Sequence, residues 1–119
     1  MNMVFKITDN QISAFEKDAE ERYIRDLVKF LQDEVPGAAE DDRKKLFEIT
    51  KAMVKKAADY GLKTKRDAAI YVTTVYLLGL DFEEHFHVAK EILTSSLPGM
   101  DKANWLQDAA VALIDSKGR

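Results

Sequence analysis

His85 and His87 are the residues of this chain that first invite a chemical reading. Glu83, His87 and Glu91 recur every four residues, so on a helix one imidazole and two carboxylates would share a face. That is a fragment of a metal site. His85 stands two residues from His87 and must point elsewhere, so the pair cannot grip one ion as an i, i+4 pair does. Charged helix surfaces produce the same spacing, and no metal or cofactor is expected. A small metal-binding or enzymatic helical protein using His85 and His87 is kept as an alternative.

Paired carboxylates offer general acid–base chemistry at Glu20-Glu21, Asp33-Glu34, Asp41-Asp42 and Glu83-Glu84. Neighbouring residues diverge on a helix, and a catalytic acid needs burial or a close charge to shift its pKa. None of these pairs stands in an apolar context, so all are expected on exposed helix ends and faces. The glycines at 37, 61, 79, 99 and 118 form no phosphate-binding loop, and the serines fit no nucleophile elbow. Cysteine is absent, which removes disulfides, thiolate metal sites and a thiol nucleophile. No catalytic residue is assigned, and the chain is expected not to be an enzyme.

Charge is unevenly spread. Between Arg43 and Arg66 stand nine basic and two acidic residues, a local charge of +7 in a chain of net charge −3, so the remainder carries −10. The stretch could be a solvated helix face or could steer an acidic partner. A DNA-binding regulator is a further alternative, because a short glycine turn joins the second and third helices. The third helix is apolar all round, however, and offers base edges no polar side. Nucleic acid is therefore not expected as a partner. No run approaches the roughly 20 apolar residues of a membrane span. The N-terminus has no signal-like run, and a soluble, cytoplasmic protein is expected.

The elements that must position these residues read as five helices, near 9–34, 42–60, 65–78, 82–94 and 102–115, in a single all-α domain. Thr8 and Gln11 have the spacing of a capping box, with Ile7 and Ile12 as a hydrophobic staple. Ile12, Phe15, Ala19, Tyr23, Leu27, Phe30 and Leu31 then make one stripe, closed by Pro36-Gly37. Asp41 or Asp42 caps the second helix, whose stripe is Leu46, Ile49, Met53, Ala57 and Tyr60. Gly61 ends it. Thr64, with Asp67 three residues on, caps a third helix that is apolar on nearly every side and so belongs in the middle of the bundle. Asp81 caps the fourth, with Phe86, Ala89 and Leu93 facing inward. Asp101 opens the fifth, with an inner face of Trp105, Ala109, Ala112 and Leu113, and Ser116 onward is a fraying tail.

Three segments carry a family resemblance: ITDNQISAFEKDAEERYIRDLVKFLQDEVP, KAADYGLKTKRDAAIYV and LLGLDFEEHFHVAKEIL. I-T-x-x-Q before a long helix, A-x-x-Y-G before the next, and L-G-x-x-F after it resemble a family of small helical proteins associated with bacterial type VI secretion and effector loci. Val88-Ala89 stands where that family carries Pro-Trp-Ala. The resemblance implies a non-enzymatic partner of a secreted effector, either an immunity protein that blocks a toxin or an adaptor that loads it. Glu16, Glu20, Asp26 and Asp33 on the first helix would suit a basic cleft, and Lys51, Lys55 and Lys56 on the second an acidic partner. An exposed remnant of the third helix's apolar surface would allow a homodimer.

Overall fold

Residues 17–35, 38 and 42–117 are described by the computed structural model. Helices α1 (Lys17–Glu34), α2 (Arg43–Asp59), α3 (Lys65–Leu78), α4 (Phe82–His85), α5 (His87–Thr94) and α6 (Gly99–Lys117) form one all-α domain, with no strand among the described residues. Thr8, Gln11, Ile7, Ile12, Phe15, the Ala19 side chain, Glu16, Pro36-Gly37, Asp41 and the last two residues of the tail lie outside the described residues. Among the described residues, no helix is long and apolar enough to cross a membrane.

Local chemistry sets the ends of the central helices. The Asp42 side chain accepts from the Lys44 N–H at 3.1 Å and starts α2. Gly61, at φ +87°, ends it. Its N–H bonds the Ala58 carbonyl, and the Leu62 N–H reaches back to Ala57. That pair of bonds is a Schellman cap, and it folds the fully buried Leu62 onto the helix it has just terminated. The Thr64 hydroxyl accepts from the Asp67 N–H at 3.1 Å and starts α3 three residues later.

α3 packs between α2 and α6, and α1 packs against α2. Residues 67–75 of α3 are all buried. Thr73 and Thr74 enter this interior because their hydroxyls donate to the carbonyls of Ala69 and Ile70, each at 2.8 Å. Tyr23 of α1 donates to the Lys65 carbonyl at 2.7 Å, tying the first helix to the start of the third. The buried face of α1 is wider than the predicted stripe, since Ile24 and Val28 join Tyr23, Leu27 and Leu31 in the core, with Val35 just past the helix end.

Two elements differ from the sequence reading. The predicted fourth helix is two short ones, α4 and α5, because the backbone leaves the helical region at Phe86 (φ −121°, ψ 86°). Phe82 and Glu83 bury on one side of this break, Ala89 and Leu93 on the other. Phe86 itself is left 37% exposed and does not face inward. Asp81 holds the cap position without capping, its Oδ2 lying 3.0 Å from Nε2 of His85 instead.

The last helix begins at Gly99, three residues earlier than expected, and is turned about its axis. Lys102, Ala103, Leu106 and Ala110 are buried. Trp105, Ala109 and Leu113 are half-buried, and Ala112 is exposed. Close docking of the helix start causes this: a Cβ on Gly99 would lie 2.4 Å from the Gly61 carbonyl oxygen. Gly99→Ala brings up to about 1 kcal/mol of helix propensity. The backbone clash outweighs it, because no flexible side chain can yield. The variant is expected to lose about 1–3 kcal/mol, read as a lowered urea midpoint. An unchanged midpoint would show that the α2–α6 contact is loose.

Candidate functional site

The densest polar cluster of the described residues centres on Glu83. It is 6% exposed. The Tyr60 hydroxyl donates to one carboxylate oxygen and the Tyr71 hydroxyl to the other. Lys90 Nζ lies 3.6 Å from the first oxygen and Lys56 Nζ 3.5 Å from the second. Lys90 also donates to the Tyr60 hydroxyl at 3.0 Å. The Tyr60 and Tyr71 rings meet edge-on with centroids 5.9 Å apart, and Phe82 closes the apolar side. Four polar residues from α2 and its cap, α3 and α5 thus converge on the one carboxylate of α4.

Burial alone pushes the Glu83 carboxyl up. The two phenol hydrogen bonds and the two ammonium groups outweigh it and hold the carboxyl below its ordinary value. Burial raises the Tyr71 phenol, and the Glu83 hydrogen bond and charge raise it further. Lys90 is raised first by its hydrogen bond and charge interaction with Tyr60; desolvation opposes the rise and the Glu83 carboxylate adds to it. The carboxylate is ionised with both oxygens engaged, and the Tyr71 phenol stays protonated. Neither is a base or an acid poised near neutrality, so the cluster's chemistry is that of a clasp between helices.

The expectation that no paired carboxylate sits in an apolar context is therefore corrected at Glu83. A usable signal was present: phenols of buried tyrosines need partners. Tyr71, in an all-apolar helix, demanded an acceptor from elsewhere in the chain. Lys102 was missed for the same kind of reason. It is 5% exposed, and its ammonium donates to the carbonyls of Tyr60 and Leu93, both at 2.8 Å. One cation thereby finishes the C-terminal ends of α2 and α5.

Around His85 and His87, three His, Cys, Asp or Glu side chains nowhere gather as metal ligands do among the described residues. Glu83 turns inward to its tyrosines, whereas His87 and Glu91 are exposed. α3, enclosed along most of its length, has no free face to lay in a DNA groove.

The residues singled out for partner binding fall on separate surfaces. Glu20, Lys51 and Lys55 line one open groove of about 570 Å³ between α1, α2 and the turn into α3. Lys63 and Lys65 add to its rim and Glu48 lies at one end, while Tyr23, Val54, Ala58 and Leu62 supply an apolar floor. Lys56 does not share it, being turned toward Glu83. Asp26 opens on a different groove with Arg25, Lys29 and Arg43. Asp33 is exposed and pairs with Lys29 at 3.8 Å. Glu16 lies outside the described residues. A smaller apolar groove of about 360 Å³ opens beside the helix break, between Leu78, Phe86, Val88 and Trp105.

The fold and these surfaces define a small all-α domain whose polar interior is given to holding helices together and whose grooves are open. No known family model, no curated protein and no solved structure matches this chain.

Proposed function

We propose that this protein is a non-catalytic binding module that holds a protein partner in the groove between α1, α2 and the α2–α3 turn. The observation that carries the reading is the make-up of that groove. A mostly apolar floor is rimmed by Lys51, Lys55 and Lys63, all exposed. Among the described residues, their side chains form no ion pair or hydrogen bond. Apolar area supplies affinity and the rim supplies orientation and selectivity, the usual division of labour at a protein interface. The resemblance of the YG turn and the flanking helices to proteins of type VI secretion and effector loci makes a secreted effector or a secretion component the proposed partner, with the module acting as immunity protein or loading adaptor.

The test is co-purification with the product of the neighbouring gene. The tagged full chain is expected to retain that protein, and Lys51→Glu/Lys55→Glu to release it. The reading fails if no neighbouring product is retained, or if none retained is a toxin or secretion component.

A further inference from the structure

We infer that the occupant of this groove is an acidic amphipathic helix, about three turns long, presented by the partner. The inference rests on the binding reading above and names the chemistry of the segment that binds. Its first support is charge. Lys51, Lys55, Lys63 and Lys65 line the groove against Glu20 and Glu48, a local excess of two positive charges in a chain of net charge −3. Lys65 already lies over the Tyr23 ring, 5.8 Å from its centroid. The exposed Lys51, Lys55 and Lys63 remain for a partner's carboxylates.

Its second support is geometric. Lys51 and Lys55 are one helical turn apart and share a face of α2, while Lys63 projects from the turn beyond. The lining of α2 runs from Glu48 to Ala58. At 1.5 Å per residue this wall is roughly 15 Å long, the length of about three helical turns. Helices flank the groove, and no strand edge among the described residues could extend an incoming chain by pairing. A helix satisfies its own backbone hydrogen bonds and so suits this apolar floor. Apolar side chains at i, i+3 and i+4 would cover Val54 and Ala58, with acidic residues reaching the lysine rim.

The experiment pans a displayed library of random peptides, each about four helical turns long, on the full chain at low salt. The Lys51→Glu/Lys55→Glu/Lys63→Glu variant serves as counter-target, with its helix content checked by circular dichroism. Recovered peptides are expected to be acidic, with apolar residues spaced three and four apart. They should bind the variant at least about tenfold more weakly and lose affinity as salt rises. Recovery of no peptide, of sequences without acidic enrichment, or of peptides that bind both proteins alike overturns the inference. So does displacement by a short DNA duplex at comparable concentration, which would give the lysines to nucleic acid. These failures leave the co-purification result standing, so the nature of the occupant and the existence of a partner are tested separately.

Discussion

A Glu83→Ala variant is expected to lose about 3–5 kcal/mol of stability, the range for removing one partner of a buried charged cluster. In a chain of 119 residues that corresponds to a fall in Tm of roughly 12–20 °C. The magnitude follows from what is left behind. Tyr60 and Tyr71 lose the acceptor for their hydroxyls, and Lys56 and Lys90 lose their common anion. Glu83→Gln keeps the shape and one acceptor oxygen but replaces charge-assisted bonds by neutral ones, so its loss should be smaller, about 2–3 kcal/mol. Thermal unfolding followed by circular dichroism orders the three proteins. Equal Tm values for wild type and Glu83→Ala would show that solvent carries the cluster's hydrogen bonds equally well.

The same carboxylate carries a pH signature. Its folded-state value lies below the ordinary 4.5. Its stabilisation is therefore complete above about pH 4.5 and is lost as pH falls through the lower, folded value. Urea midpoints of wild type and Glu83→Gln should differ most at neutral pH and converge in acid. A gap that stays constant into acid would refute the charge argument. At the alkaline end the sign reverses. Tyr23 and Tyr71 are both raised above their ordinary 10.0, so they stabilise the fold below about pH 10 and lose that contribution as pH rises through their folded values.

The second large effect is expected at Lys102. Lys102→Met preserves the length and apolar stem of the side chain but withdraws the ammonium from the Tyr60 and Leu93 carbonyls. The buried Leu93 carbonyl and the part-buried Tyr60 carbonyl then lack this donor, at about 1–3 kcal/mol each, or roughly 2–6 kcal/mol together. The corresponding fall in Tm is roughly 8–24 °C. Lys102 stands in the first turns of α6, where a cation is disfavoured by its own helix dipole. It is retained there because it reaches the negative ends of two other helices. Lys29→Met is the control. That lysine is exposed and its pair with Asp33 lies on the surface, so its loss should stay within about 0.5 kcal/mol. A Lys102→Met variant as stable as Lys29→Met would mean that water satisfies both carbonyls.

Much of the fold was legible in the residues. The Thr64 cap, the Gly61 stop and the apolar run of α3 depend on neighbours within a few positions, and each formed as read. The centrality of α3 followed from having no polar side to give to solvent. The last helix shows where such reading ends. Trp105, Ala109, Ala112 and Leu113 make as good an apolar stripe as Ala103, Leu106 and Ala110, and periodicity cannot choose between them. The choice is made by Gly99 seated on the Gly61 carbonyl and by Lys102 bonded to Tyr60. Those contacts join residues about forty positions apart. The break at Phe86 is similar, since a continuous helix would have placed Phe82, Phe86, Ala89 and Leu93 on one stripe.

The candidate site divides in the same way. The excess of lysine between Arg43 and Arg66 was visible in the chain, but its partition was not: Lys51, Lys55 and Lys63 line the groove while Lys56 turns to Glu83. The amino-acid sequence by itself determined an all-α domain, its caps and stops and its buried third helix, because backbone hydrogen bonds and helical periodicity are satisfied over three to six residues. Only the tertiary structure decided that Glu83 and Lys102 are interior and that the lysines part company. Burying a charge is tolerable only where partners converge on it, and these partners come from helices brought together by packing.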